Sequence, residues 1–239
     1  MSNKVTEKSL VWLYYFKTVM GQNIIHVYFV PGLAAGKEIF KNIHLPENCF
    51  QTHILEWLIP EKKESISSYA QRMAMHVLHE DAVLVGVSFG GVVVQEMAHF
   101  LTLKKLIIIS SVKSRKEFPK RMKIARITKL YKLVPTRIML SSDDLTKFAI
   151  GPKSRKRLQL YQAFLHVRSA SYLNWAIENM VCWQPKKPAG EVIHIHGDAD
   201  IIFPVKNIKD CEVILGGTHI MLLNKGSKIS KKLIEVISL

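Results

Sequence analysis

The chain has 239 residues, 48% of them apolar and 9% aromatic, which suits one α/β domain with a sizeable core and excludes a disordered or collagen-like chain. Its net charge of +15 is uneven: residues 113–187 hold 18 of the 34 basic side chains and 4 of the 19 acidic ones, so the remainder is almost neutral. Cys49, Cys182 and Cys211 are odd in number and far apart, which excludes a disulfide framework and reads as reduced, mostly buried thiols.

In chain order, Leu10 to Phe16 is an apolar run too short for a membrane span, with no small-residue cleavage site after it. It is expected to pack on the domain, and the expected location is the cytoplasm. Residues 24–30 (IIHVYFV) predict a buried strand stopped by Pro31-Gly32, and residues 50–59 (FQTHILEWLI) a second, ended by Pro60. Residues 67–78 have helical spacing, with Tyr69, Met73 and Val77 on one face. Residues 82–87 (AVLVGV) predict a third strand that runs into Gly90-Gly91 and a helix over 92–101. Residues 106–109 (LIII) predict a fourth. Continuously apolar strands separated by helices predict a mainly parallel sheet covered on both faces, an α/β three-layer sandwich. After Ser111 the rhythm stops, and residues 112–188 are basic and helical in pattern. It resumes with strands over 192–196 (VIHIH) and 212–215 (EVIL) and a last amphipathic helix over 228–237. The expected organisation is a core of residues 1–111 and 189–239 with 112–188 as an insertion.

The candidate chemistry centres on Gly86-Val87-Ser88-Phe89-Gly90, a G-x-S-x-G motif. A serine on a tight strand-to-helix turn needs small neighbours two residues either side, and the turn lifts its oxygen to the carboxyl edge of the sheet. The following helix start favours developing negative charge there. Serine needs a base. His219, on a loop after a strand and Gly216-Gly217, is the candidate among ten histidines; His26, His53, His194 and His196 lie within strands and read as core or edge residues. The base in turn needs an acid to fix its tautomer. Asp200 and Asp198 both follow the 192–196 strand, and spacing alone leaves both open. His194-x-His196 has no convincing further metal ligands. With no dinucleotide fingerprint and no P-loop either, no cofactor is expected.

The order Ser88, Asp200, His219 resembles the α/β-hydrolase family. Val30-Pro31-Gly32-Leu33 is similar to that family's oxyanion loop, GVSFGG to its nucleophile elbow, HGDADIIFP to its acid loop and GGTHIMLL to its histidine loop. The resemblance implies Asp200 as the acid, backbone N–H groups of Leu33 and Phe89 as the oxyanion hole, and hydrolysis of a carboxylic ester or thioester. Many members have His-Gly where this chain has Pro31-Gly32; the backbone donors survive the change. Hydrolysis of another bond, acyl transfer, or a binding protein without turnover uses the same frame and stays open.

In that family the insertion is often a helical cap, which would give Phe118, Tyr131, Leu140, Phe148, Phe164, Tyr172 and Trp175 to an acyl pocket or to the cap's own core. The charge of the insertion suits a solvated surface, an acidic acyl-carrier protein (as in the similar pimeloyl-acyl-carrier-protein methyl esterase branch) or an anionic membrane. The clusters Lys113-Ser114-Arg115-Lys116 and Lys153-Ser154-Arg155-Lys156-Arg157 lack a nucleic-acid-binding fold, so no nucleic acid is expected.

Overall fold

A computed structural model describes residues 24–134, 136, 169–185 and 190–239. The expectations for residues 10–16, Leu140, Phe148, Phe164 and the 153–157 cluster lie outside them. Six parallel strands are described: β1 (Ile25–Val30), β2 (Phe50–Ile54), β3 (Ala82–Val87), β4 (Leu103–Ile109), β5 (Val192–Gly197) and β6 (Glu212–Ile214). They form one sheet in the order β2-β1-β3-β4-β5-β6.

The apolar runs explain the layering. Alternate residues of one strand feed opposite faces. Tyr28, Val30, Leu84 and Ile108 pack with α1 (Ile66–Ala74) and α2 (Phe89–Met97) on one face. On the other face, Val27, Phe29, Val85 and Ile107 meet Leu222, Ile229 and Leu233 of α5 (Leu222–Ser238). Two further helices belong to the basic segment, α3 (Lys120–Thr128) and α4 (Ala170–Cys182). Among the described residues, no helix is long and apolar enough to cross a membrane.

Several boundaries differ from the sequence reading for local reasons. Strand β2 stops at Ile54, five residues early. Its last ladder bond runs from Leu55 N–H to Phe29 O (2.9 Å). The chain then leaves the sheet, and Trp57 and Leu58 pack on the α1–α2 side of it. Helix α2 starts at Phe89 rather than 92, because Gly90 and Gly91 are already helical. Helix α1 begins one residue early at Ile66, where Ser65 caps it by accepting from Ser68 N–H. The last helix starts at Leu222, and Lys225 breaks its helical geometry (φ −123°) where the periodicity shifts. The three cysteines are half-buried free thiols rather than fully buried ones.

This topology fixes where a site can form. From β1 the chain moves outward to β2, and from β3 it moves the opposite way. Ligands of open parallel sheets collect at the carboxyl edge of such a switch point. The ends of β1 and β3 are Pro31-Gly32-Leu33 and Ser88.

Candidate active site

Ser88 occupies a backbone conformation that few side chains adopt (φ 52°, ψ −116°). Strain of this kind costs roughly 1–3 kcal/mol and persists only where surroundings enforce it. They do so here. The Ser88 N–H donates to Ile109 O (2.9 Å), its carbonyl accepts from Gly91 N–H (2.9 Å), and the Ser111 hydroxyl donates to the same carbonyl (2.7 Å). A Cβ at Gly86 would collide with Gly90 and Val94, and one at Gly90 would collide with the carbonyls of Val30 and Pro31. The glycines therefore let the elbow close on itself and let the β1 loop lie against it.

Ser88 Oγ lies 2.9 Å from Nε2 of His219, and Nδ1 of His219 lies 2.9 Å from Oδ2 of Asp200. The contacts set the tautomer. An ionised Asp200 only accepts, so His219 donates from Nδ1, and its bare Nε2 accepts the Ser88 hydroxyl proton. The Asp200 side chain is fully buried and that of His219 is 10% exposed. Oδ1 of Asp200 accepts from the N–H groups of Ile202 (2.8 Å) and Phe203 (2.9 Å). Burial pushes the Asp200 carboxyl up. The charge and hydrogen bond of His219, the Phe203 N–H and the nearby His196 outweigh it and hold the group below its usual value.

Asp198, the other carboxylate left open by spacing, has a different task. Its Oδ1 accepts from Gly216 N–H (2.7 Å), while Ala199 N–H donates to Gly217 O (2.9 Å). These bonds tie the acid loop to the histidine loop. Phe203 meets the His219 ring edge to face, with centroids 5.4 Å apart.

The β1 loop is held just as firmly. Gly32 O accepts from Trp57 Nε1–H (3.1 Å) and Ala35 N–H (3.0 Å), and Ala34 N–H donates to the Tyr172 hydroxyl (3.5 Å). Phe89 is the first residue of α2, so its N–H has no intrahelical acceptor. Leu33 and Phe89 thus sit on the two segments that meet at Ser88, and a Cβ added at Gly32 would come into van der Waals contact with the Ser88 side chain.

An aromatic group stands beside the elbow. Trp57 stacks on Phe89 (5.5 Å), and Trp175 meets Phe89 edge to face (5.9 Å) and Tyr69 at 4.3 Å. Tyr172 is fully buried among them, and burial raises its hydroxyl well above the usual value. Phe118 packs on Phe203 (6.2 Å) as part of the core, and Tyr131 donates to Glu178 (3.1 Å) at the surface. The guanidinium of Arg121 donates to the carbonyls of Ile201 and Ile202 (2.8 and 3.1 Å), tying α3 to the acid loop.

Sequence reasoning missed Ser111, Trp57 and His196. His196 Nε2 lies 3.6 Å from Oδ2 of Asp200 and donates to Phe203 O (2.8 Å), while its Nδ1 lies 3.0 Å from His194 Nε2. Their place within a strand marked both as core or edge residues, and both are buried, but it did not reveal the neighbouring acid.

No protein-family model and no curated protein matches the sequence. Solved structures are similar in fold. An esterase from Thermogutta terrifontis is 16% identical with a TM-score of 0.61, over 90% of this chain and 89% of that one. A hydrolase from Oleispira antarctica is 11% identical with a TM-score of 0.67, over 91% and 92%. An α/β-hydrolase fold protein from Burkholderia ambifaria is 13% identical with a TM-score of 0.60, over 89% and 91%. At such identities the likeness is one of fold: this chain has the α/β-hydrolase fold.

Proposed function

We propose, with that fold as the premise, that the chain is a serine hydrolase that cleaves a carboxylic ester or thioester through an acyl-enzyme. The observation that carries the reading is the unbroken row Ser88 Oγ, His219, Asp200, with both links at 2.9 Å, on a strained elbow. Ser88 Oγ attacks the carbonyl carbon as His219 Nε2 takes its proton. The tetrahedral oxyanion is held by the N–H groups of Leu33 and Phe89, each worth about 3 kcal/mol. Collapse expels the alcohol or thiol, which His219 protonates. Water, activated by His219, then attacks the acyl-enzyme and frees Ser88.

The aromatic group of Trp57, Phe89 and Trp175 supports an apolar acyl side. The cations of the inserted segment support an anionic macromolecular substrate carrier. In α3 and just after it, Lys120, Lys123, Lys129 and Lys132 are exposed, a charge pattern that steers an acidic partner.

The test is a series of p-nitrophenyl esters of rising chain length beside acyl-thioesters, run with Ser88→Ala and with fluorophosphonate labelling. Expected are turnover by the parent, labelling at Ser88, and loss of both in the variant while it remains folded. Undiminished turnover by Ser88→Ala sinks the mechanism. A folded parent that neither labels nor turns over favours a binding protein.

A further inference from the structure

Away from the elbow, on the α1 face of the sheet, three histidines from distant parts of the chain converge. His26 is near the start of β1, His53 is on the edge strand β2, and His79 follows α1. Register places Tyr28 opposite His53, so His26 lies diagonally across from it on the same face. One ring nitrogen from each lies within 4.8 Å of the other two. His26 Nδ1 is 3.0 Å from His53 Nε2, and the His26 and His79 rings stack with centroids 3.4 Å apart. All three are half-buried, so the cluster is reachable from solvent.

We propose that His26, His53 and His79 form a binding site for a divalent ion of the zinc type. Three imidazole nitrogens without a carboxylate among them suit Zn2+ and its neighbours rather than Mg2+ or Ca2+. Tetrahedral Zn2+ at roughly 2.0–2.1 Å from each nitrogen spaces its ligands about 3.4 Å apart. Ring rotations that open the stack and close the longest gap by at most about 1.4 Å therefore complete the site. A water supplies the fourth ligand.

Tyr28 sits against one of the three rings. Its hydroxyl oxygen accepts from Leu78 N–H (3.1 Å) and lies 2.6 Å from His79 Nδ1. With its proton on Nδ1, His79 donates to Tyr28 and keeps the lone pair on Nε2 for a metal, the arrangement found at metal-ligating histidines. The sequence reading weighed only the adjacent pair His194 and His196 as ligands. Nothing in the spacing of 26, 53 and 79 reveals their convergence. The site lies about 13 Å of strand before Val30, so its role is to clasp the sheet edge rather than to take part in acyl chemistry.

The experiment uses the full chain, without a histidine tag and stripped with chelator. Calorimetric titration with Zn2+ is expected to give one ion per chain at micromolar affinity or tighter. Co2+ in its place is expected to give the visible absorption of tetrahedral coordination. The imidazole 15N resonances that move on adding Zn2+ are expected to be those of His26, His53 and His79. His53→Asn and His79→Asn each lose at least ten-fold in affinity, and Tyr28→Phe loses about 10- to 100-fold. Ester turnover of His79→Asn stays at the parent's level. The proposal is overturned if the parent binds no stoichiometric Zn2+, if the His53→Asn/His79→Asn double variant binds as the parent does, or if only other histidine resonances move. The resonance assignment decides the matter in the parent even where a variant folds poorly.

Discussion

At the scale of single residues, two aspartates two positions apart divide the work. Asp200 faces the imidazole and Asp198 ties two loops; spacing alone does not separate them, although the acid-loop resemblance pointed to Asp200. The side-chain direction after β5 is what separates them in space. Asp200→Asn keeps the shape but favours the wrong His219 tautomer, so kcat is expected to fall by about 10^4. Asp198→Asn keeps an acceptor oxygen for Gly216 N–H and is expected to cost less than about ten-fold in kcat, one hydrogen bond being worth about 1 kcal/mol. Steady-state kinetics on one small ester checks both, and equal losses would contradict the assignment. The motif residues were legible because tight turns and proton transfer admit few residue types. Ser111 and Trp57 were not, because a serine after a strand and a tryptophan in a loop meet no such constraint. Their importance comes from the carbonyls they happen to reach.

At the scale of an element, β5 carries a hidden pH sensitivity. His194 and His196 are 1% and 0% exposed. His196 donates to Phe203 O and so accepts from His194, whose own Nδ1 has no hydrogen-bond partner. Burial, then the neighbouring His196 and Lys113, lower His194 to about 2. Burial also lowers His196, against the opposing pull of Phe203 O and Asp200. In the unfolded chain each titrates near its ordinary value of about 6.5. Below that value the unfolded chain takes up protons that the native chain does not, so stability falls as pH falls. Each histidine contributes up to about 1.4 kcal/mol per pH unit. Urea unfolding at pH 7.5 and pH 5 is expected to show the loss, and His194→Gln, which keeps an N–H for His196, to remove about one histidine's share of the slope. An unchanged slope in that variant would show that His194 is not the source. The strand itself was plain in its apolar run. What its histidines touch was not, since Phe203 and Asp200 lie on the loop beyond it.

At the scale of the whole molecule, the parallel three-layer architecture was legible because buried parallel strands are written as uninterrupted apolar runs. The end of β2 was not, because there the chain leaves the sheet to meet partners remote in sequence, and neither was the start of α5, where Lys225 breaks the helical geometry. Charge is the other global feature, a near-neutral core joined to a strongly basic segment. With an acidic carrier-linked substrate, raising salt from 50 to 500 mM is expected to lower kcat/KM by about ten-fold or more as the Debye length shrinks, while turnover of a small neutral ester changes little. Equal responses would assign the charge to a merely solvated surface.

His219 and Asp200 both hang from the β5–β6 flank, and β6 is a three-residue strand at the sheet's outer margin. Ser88 and the β1 loop are anchored in the middle of the sheet. Because Asp198, Ala199, Gly216 and Gly217 stitch the two flank loops together, fraying of that margin removes imidazole and carboxylate in one movement and leaves the serine standing. Gentle warming should therefore silence the protein several degrees before circular dichroism reports melting, and cooling should restore it in full.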